Sequence, residues 1–550
     1  MLTEGFLERI YLGSLDEQIF NSFKAPINAE KVKSLIDKFL EISREHSPQS
    51  IEEQGRIPQE MLQKMREIGL FGISIPETYG GMGFNLWEYL KTIEEMVKQD
   101  ISVVLASLAH LSIGVKGVLL FGNEQQKEKY LTPAASGDII FSYALTEPKI
   151  GSDAQHIETR AELSEDGSHY VLNGQKTYIT NANYAGALTT FAQLDPKHPG
   201  YMGAFIVETG WEGVEIGRDM PKMGLKASST ASIQFRDVRV PVENLLGKPG
   251  DGFKIAMTIL NYGRLGLGAA SVGMMDQSVA DMLKRSSSRI QFGVPIKEFQ
   301  LIQEKIVRAR VNSYVSSSMD DFAAGLLEEN PTANVAIESS HCKLFGTTRC
   351  WDTVYDALQV AGGSGYLTTQ PYEKRMRDFR VTTVFEGTTE IHSIYPALFM
   401  IRKITKDLQE SHDTRIGQFF SLMKGLFKRI EWPLKFEDKA MKKASKAAKA
   451  NAALIRRMLI LGIMIYGSKI SSKQFLLRRI STLSVYLFGL LAVLSRLSAA
   501  GAGKDPDKEQ IHLLNYFLQE AKTAKMQSLS FLDTKRERLI EPIMKNLSSE

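Results

Sequence analysis

Strand-like and helix-like sequence are segregated along this chain of 550 residues. Apolar residues recur at helical spacing up to about residue 140. Short β-branched and aromatic runs bounded by turn residues then follow, and from about residue 252 helical periodicity returns and continues to the end. A doubly wound nucleotide-binding sheet needs strands that alternate with helices, and this chain lacks that alternation. It also contains no GxGxxG after a strand and no P-loop motif. The order predicts a mostly α, α+β fold in which any dinucleotide binds outside those nucleotide-binding folds.

The middle region has the short, turn-bounded runs of a compact β domain. Asp166-Gly167 and Asn173-Gly174 are typical turn dipeptides. The predicted strands cover Ile139–Leu145, His169–Leu172, Thr177–Thr180, Ala187–Ala192, Ala204–Val207 and Ser232–Phe235.

A chain of this length is too long for one hydrophobic core, so several domains are expected. The helical pattern weakens around Gln409–Gly417, which separates a further helical segment from the rest. We predict an N-terminal α domain at 1–140, a β domain at 141–250, a C-terminal α domain at 251–407 and a helical extension at 408–550.

Composition excludes several classes of protein. The net charge of +4 is small for the length, so no nucleic-acid partner is expected. Cys342 and Cys350 form no CxxC, and no HExxH is present, so we expect no metal site, no disulfide framework and a reducing compartment. The first twenty residues carry four acids and no basic segment followed by an apolar run, which favours a cytoplasmic or already processed chain over a transit peptide.

Five motifs occur in one order between about residues 55 and 405. They are Tyr143–Pro148 with Gly151–Asp153, Leu172–Lys176 through Asn181, Arg289–Gly293, Gln359–Gly365 and Phe385–Thr388. Together they resemble the acyl-CoA dehydrogenase family. The long tail and Ala109–Gly114 are most similar to its very-long-chain branch.

The resemblance implies an architecture and an assembly. The β domain would be barrel-like, the C-terminal α domain a four-helix bundle, and the extension an extra helical domain. Tetrameric relatives pair their dimers through the last helical domain. Because the extension would occupy that face, we expect a homodimer.

The resemblance also implies a reaction. The α C–H of a thioester is a very weak acid, so its removal needs a base in a dry pocket and hydrogen bonds to the thioester oxygen. Glu386 would be that base, FAD would take the β hydrogen, and Arg264 would lie beside the base. From the residues alone, Glu386 could instead be a carboxylate at a helix N-terminus, which Glu390 fits better, and Arg264 a structural, ion-paired arginine.

Further residues match positions that hold the cofactor or the substrate in the family. Arg289 could equally be a surface charge and the glycines plain turns. The substrate-side matches are Ser152, Asn261, Arg264 and Gly387. The FAD matches are Tyr143, Leu145, Thr146, Ser152, Tyr178, Ile179, Thr180, Gln359, Gly362, Gly363, Thr388 and Glu390, with Arg289, Gln291, Phe292 and Gln300 serving the neighbouring subunit.

Two glycines on a predicted helix, Gly114 and Gly117, bear on chain length. Glycine in a helix costs roughly 1 kcal/mol against alanine, so two suggest a close approach. In very-long-chain relatives, glycines here leave the acyl tunnel open, and close helix packing is the alternative. We hypothesise a preference for long acyl chains.

The extension combines basic and strongly apolar sequence. From Lys439 to Lys504 there are thirteen Lys or Arg in 66 residues and no Asp or Glu. Apolar runs follow at Leu454–Tyr466 and Ile480–Ser495. This combination is typical of helices on an anionic membrane surface, and a bundle packed on the catalytic body is the alternative.

The function predicted from the sequence is FAD-dependent α,β-dehydrogenation of long-chain fatty acyl-CoA to trans-2-enoyl-CoA. An electron-transferring flavoprotein would accept the electrons. Two alternatives stay open: an assembly factor for a respiratory complex and an oxidase. We expect a cytoplasmic protein, peripheral to the inner membrane, or on its matrix side if the chain is a processed mitochondrial one.

Overall fold

The computed structural model describes residues 4–21, 27–411, 414–500 and 507–548. The N-terminal part is helical, as the periodicity predicts. Its longest helix begins at a capping box formed by Asn85 and Glu88, bends at Asp100, and continues into a π-helix at His110–Gly114. The helices are α1 (Phe6–Leu12), α2 (Glu17–Asn21), α3 (Ala29–Arg44), α4 (Pro48–Gln54), α5 (Gln59–Glu67), α6 (Leu86–Ala109), α7 (Lys116–Phe121) and α8 (Glu124–Ser136).

The middle part forms one mixed sheet of eight strands. Their order is β6-β7-β3-β2-β4-β5-β8, with β1 parallel to β4. The sheet has a core of its own, formed by side chains such as Leu172, Ile233 and Phe235. The strands are β1 (Ile140–Ala144), β2 (Arg160–Leu163), β3 (His169–Thr180), β4 (Ala185–Gln193), β5 (Met202–Glu208), β6 (Val214–Ile216), β7 (Thr230–Pro241) and β8 (Leu245–Gly250).

One predicted turn in this region is wrong. His169–Leu172 and Thr177–Thr180 belong to a single strand, β3, and Asn173-Gly174 lies inside it. The register against β7 shifts at Gly174, whose φ is +149°. A Cβ there would lie 2.5 Å from Thr159 Oγ1. The glycine therefore marks a bulge and a close approach of β2 rather than a hairpin.

The next part is helical again, with a small β hairpin between its first two long helices. Helices α9, α10 and α11 pack against one another, α6 packs on α9, and α12 and α13 pack on α11. The elements are α9 (Gly252–Ser288), β9 (Ile290–Gln291), β10 (Val294–Pro295), α10 (Gln300–Glu329), α11 (Ala336–Ala361), α12 (Pro371–Arg380) and α13 (Thr389–Ser411).

The extension surrounds one central helix, α16, which also packs on α10 and α13. In the apolar run Ile480–Ser495, every residue except Thr482 is buried. For this run the packing alternative is correct, because its neighbours are protein helices. Lys504 lies outside the described residues. The helices are α14 (Arg415–Phe427), α15 (Lys439–Tyr466), α16 (Gln474–Ala500), α17 (Lys508–Ser528) and α18 (Phe531–Leu547).

Candidate functional site

Glu386 lies in the loop between α12 and α13, and its backbone is unusual. Its φ is +57°, and Gly387 follows with a φ of +97°. A residue with a side chain rarely adopts this left-handed conformation, and such residues concentrate at functional sites. The geometry does not match a carboxylate that caps a helix.

Glu386 is half-buried, and one oxygen of its carboxyl group is held away from water. Its Oε2 is buried and accepts no hydrogen bond from any described residue. Burial raises the pKa of this carboxyl, while the charges of Arg264 and Lys343 oppose the rise. Gly263 makes room for the group, since a Cβ there would lie 3.2 Å from Oε2. The result is a carboxyl with one buried, unbonded oxygen, as proton abstraction requires.

Arg264 is buried on α9 and makes no salt bridge with any residue that the structure describes. One guanidinium N–H donates to Asn261 Oδ1 at 3.3 Å. The same oxygen accepts from Ser339 Oγ at 2.8 Å. The guanidinium also lies 5.9 Å from the ring centre of Tyr395. The described partners thus do not support the ion-paired structural alternative, and the charge remains available to the Glu386 carboxyl.

Tyr143, from the β domain, lies near the Glu386 carboxyl. It stands on β1, and its hydroxyl donates to Ala256 O at 3.2 Å. Burial raises the pKa of this hydroxyl well above its ordinary value, and the nearby Glu386 carboxylate adds to the rise. Of the predicted flavin contacts, Tyr143 is therefore placed beside the predicted base.

The loop after β1 is anchored by a buried ion pair. Lys176 Nζ donates to Leu145 O at 3.1 Å and to Glu147 Oε1 at 2.7 Å. Burial lowers the pKa of Lys176 to about 8. Thr146 O accepts from Thr177 N at 2.9 Å. This loop and the end of β3 therefore form one surface, while Ser152 is exposed at its edge.

The end of β3 presents its three predicted contacts differently. Tyr178 is 66% exposed with a φ of +58°, so its ring is free to cover a ligand. Ile179 points into the core of the sheet, which leaves its backbone as the group able to meet a cofactor. Thr180 is half-buried.

Seven predicted FAD residues lie far from Glu386. Along α9, Arg264 and Arg289 are 25 residues apart, or about 38 Å at the rise of an α-helix. At this far end, Phe292 and Gly293 turn between β9 and β10, with φ values of +51° and +83°. An N–H of Arg285 donates to Ala361 O at 3.3 Å and joins the hairpin's helix to the following loop. All seven residues are exposed: Arg289, Gln291, Phe292, Gln300, Gln359, Gly362 and Gly363.

The two residues after Gly387 that were predicted to meet FAD have local roles. Thr388 Oγ1 accepts from Ile391 N at 3.3 Å, as a helix cap does. Glu390 is exposed in the first turn of α13. Its position fits a carboxylate stabilised by the helix dipole.

Family models match most of the chain. The acyl-CoA dehydrogenase N-terminal domain matches residues 28–138, the middle domain 142–238 and the C-terminal domain 250–395. The ACAD9/ACADV C-terminal domain matches 437–550. The chain belongs to the acyl-CoA dehydrogenase family.

Relatives within this family are similar over long stretches. The very long-chain specific acyl-CoA dehydrogenase, mitochondrial, of Macaca fascicularis is 37% identical over 407 residues, which are 72% of this chain but 62% of the relative. An acyl-CoA dehydrogenase of Bacillus subtilis is 37% identical over 352 residues, 64% of this chain and 92% of its own. The crystal structure of an acyl-CoA dehydrogenase complexed with FAD from Bacillus anthracis matches with a TM-score of 0.81 and 29% identity, over 94% of this chain and 90% of its own. This chain therefore spans less than two thirds of the macaque relative.

Gly114 and Gly117 of this acyl-CoA dehydrogenase family member contact protein. A Cβ on Gly114 would lie 2.5 Å from Phe141 O, in the backbone of β1. A Cβ on Gly117 would lie 3.1 Å from Thr189 Cγ2 and within 3.3 Å of two aliphatic side chains. Both contacts support the packing alternative for these glycines, and neither places an acyl chain against them.

Sequence reasoning missed two side chains that meet the Glu386 loop. Lys343 of α11 donates to Gly387 O, and His392 of α13 contacts Glu386 O. The motif around Glu386 includes neither residue. Lys343 lies 43 residues before Glu386, so no local pattern joins the two. The burial of Lys343 is unusual for a lysine, but it is a property of the fold and gives no signal in the sequence.

Proposed function

We propose that this chain is an FAD-dependent dehydrogenase that oxidises long-chain fatty acyl-CoA to trans-2-enoyl-CoA. The observation that carries the proposal is the buried, unpartnered Oε2 of Glu386. Burial and two neighbouring cations act on its pKa in opposite directions. A carboxyl balanced in this way can be ionised and still take up a proton.

The side chains around the site fit a flat heteroaromatic cofactor. Tyr178 offers an exposed ring, and Thr146 and Thr180 place half-buried hydroxyls on the adjoining backbone. Leu145, the residue before Thr146, is buried, and Ile179 contributes its backbone to that surface. A bound FAD would supply the acceptor for the β hydrogen.

Residues of this chain would remove the proton and bind the thioester. Glu386 would take the α proton of the substrate on Oε2, and its backbone N–H would donate to the thioester oxygen, as the family resemblance implies. Arg264 would keep the Glu386 carboxyl ionised before the reaction. Tyr143, Asn261 and Gly387 would form the wall against which the thioester lies.

The test is anaerobic mixing of the purified protein with palmitoyl-CoA while the flavin absorption is recorded. We expect bleaching, followed by return of the absorption when electron-transferring flavoprotein is added. Rapid return in air alone would favour the oxidase. A flavin that no acyl-CoA of any length bleaches would overturn the enzymatic proposal and favour the assembly factor.

We propose a homodimer that forms at the far end of α9. Phe292 is 95% exposed, and Ile290, Leu301 and Tyr366 are also exposed there. Exposed apolar side chains in one region are typical of a protein interface. A second copy seated on them would bring Arg289, Gln291 and Gln300 to the partner's cofactor.

We also propose that the extension docks on an anionic membrane, through α14 and the α15 part of the predicted segment Lys439–Lys504. No residue of α14 is buried, and Ile416, Phe420 and Phe427 are each at least 66% exposed. Helix α14 packs on α15, whose end exposes Leu461 and Ile465. Three helices of the described residues are long and apolar enough to cross a membrane, but the most apolar part of α16 is 83% buried in protein.

Helix α15 and the segment before it also carry basic residues. They line a groove on α15 with the ring of Trp432 and make no salt bridge among the described residues. Such a groove matches the anionic headgroups of a lipid surface, at about 1 kcal/mol for each basic residue. The other lining residues are Leu434, Lys435, Phe436, Lys442, Ser445, Lys446 and Lys449.

A further inference from the structure

Two consecutive carbonyl oxygens of the Glu386 loop are each bonded to a buried side chain. His392 Nε2 lies 3.0 Å from Glu386 O, and Lys343 Nζ lies 2.5 Å from Gly387 O. The left-handed conformation of Glu386 costs roughly 1–2 kcal/mol for a residue with a Cβ. Such a conformation persists only where its surroundings hold it. These two bonds oppose its relaxation.

The proton arrangement at His392 is determined by its two partners. A carbonyl oxygen only accepts, so Nε2 must carry the proton that is donated to Glu386 O. Burial holds the pKa of His392 well below its ordinary value, so the ring is neutral. Nδ1 then accepts from Ser340 Oγ at 2.7 Å. Gly387 allows this approach, since a Cβ there would lie 2.6 Å from Nε2.

Lys343 adds a charge to its hydrogen bond. It follows Ser340 by three residues, so both face the loop from one side of α11. Burial lowers the pKa of Lys343 to about 7, and the Glu386 carboxylate opposes that fall. Arg264 from α9, Tyr143 from β1 and neutral His392 from α13 are further titratable groups around the carboxyl, and the charge of Glu390 on α13 also acts on Lys343.

We propose that His392 and Lys343 are positioning residues that lock the Glu386–Gly387 turn, with Ser340 fixing the His392 tautomer. The proposal rests on the dehydrogenase function for its consequence. The lock keeps both the N–H and the carboxyl of Glu386 directed into the pocket. Misplacement of a reacting group by about 1 Å can lower a rate about 100-fold.

The first test compares two buried histidines. His392→Leu removes the bond to Glu386 O, whereas His341→Leu removes a neighbouring histidine of α11 whose ring contacts Ser484 instead. We expect the rate of flavin bleaching by palmitoyl-CoA to fall about 100-fold in His392→Leu at unchanged FAD content. His341→Leu should lose thermal stability but keep the rate within about threefold. His392→Gln should recover part of the rate, because its amide N–H can donate to the same carbonyl. Equal rates in the two leucine variants would overturn the proposal.

The second test uses pH. Lys343→Met removes a cation that stabilises the Glu386 carboxylate, so the pKa of Glu386 should rise. The acid limb of kcat/KM should therefore move to higher pH, and the loss of rate should be larger at low pH. Lys343→Arg retains the charge and should leave that limb near its original pH. A loss of the same size at every pH would show that the lysine acts through packing alone.

A readout without turnover separates this proposal from the enzymatic one. Crystal structures of His392→Leu and Lys343→Met should show Glu386 out of the left-handed region or with a displaced carboxyl, while His341→Leu should retain the wild-type turn. If Glu386 keeps its φ near +57° in both variants, the lock is refuted. If no acyl-CoA bleaches the wild-type flavin, the dehydrogenase proposal fails, and these structures still decide the lock.

Discussion

Helix α9 joins two predicted functional regions, one near Arg264 and one near Arg289. The region near Arg264 is formed by groups of one chain, whereas the region near Arg289 is expected to need a second copy. Near Arg264, groups from α9, α11 and β1 lie around the Glu386 carboxyl, and His392 of α13 contacts the backbone oxygen of the same residue. Near Arg289, the side chains expected to hold a cofactor project into solvent. A group that acts within its own chain is recognised by its buried neighbours. A side chain that acts in a partner subunit is exposed in the single chain and cannot be distinguished there from an ordinary surface residue.

The largest effect should come from the enclosed region. Glu386→Gln keeps the shape of the side chain but removes the base, so bleaching by palmitoyl-CoA should slow by about 10³-fold. FAD content and thermal unfolding should stay close to wild type. Glu30→Gln changes an exposed glutamate in the first turn of α3 and serves as the control. A Glu386→Gln protein that bleaches as fast as the control would remove Glu386 from the mechanism.

Substitution in the exposed region near Arg289 should affect dimer formation rather than proton abstraction. Phe292→Asp replaces a 95% exposed aromatic ring with a charged carboxylate, so the monomer should fold normally. The affinity of the dimer should fall, by about 100-fold if Phe292 is an anchor of the interface. Light scattering would report the mass, and absorption would report a fall in bound FAD. Phe420→Asp, at a ring of α14 that is 66% exposed, is the matched control and should remain dimeric. A dimeric, fully loaded Phe292→Asp protein would place the interface elsewhere.

The role of Gly114 and Gly117 can be tested by substitution with alanine. Gly114→Ala would press a Cβ on the backbone of β1 and should lower the free energy of unfolding by about 2 to 3 kcal/mol. Gly117→Ala meets side chains that can move and should cost less. Thermal and urea unfolding measure both. A preference shifted to shorter acyl chains at unchanged stability would instead support the tunnel hypothesis.

The smallest effect is expected at the membrane surface. Phe420→Asp should lower co-sedimentation with vesicles of phosphatidylcholine and phosphatidylglycerol by about tenfold, because an apolar anchor is lost. Lys446→Ser should lower it by about fivefold, and less at high salt. Phe292→Asp should bind these vesicles like wild type. If neither α14 nor α15 substitution changes binding, the extension only packs on the body.

Much of the local structure was predictable. The strands at Ile139–Leu145, Ala187–Ala192 and Ala204–Val207 are confirmed to within two residues at each end, because alternation and turn residues act over a few positions. Asn173-Gly174 was read as a turn because that dipeptide favours one. The close approach there involves Thr159, which directly precedes β2 and which no local pattern around Gly174 contains.

The sequence by itself determined the segregation of helices from strands, the family and the residues of the Glu386 motif, since each of these is a pattern within one segment. Only the tertiary structure decided which apolar segments are covered. It buries Ile480–Ser495 and leaves α14 exposed, although both are apolar. It also brings Lys343 and His392 to the two carbonyl oxygens beside the base. Burial and hydrogen bonding depend on neighbours that are distant in the chain, whereas periodicity reports only a residue's nearest turns.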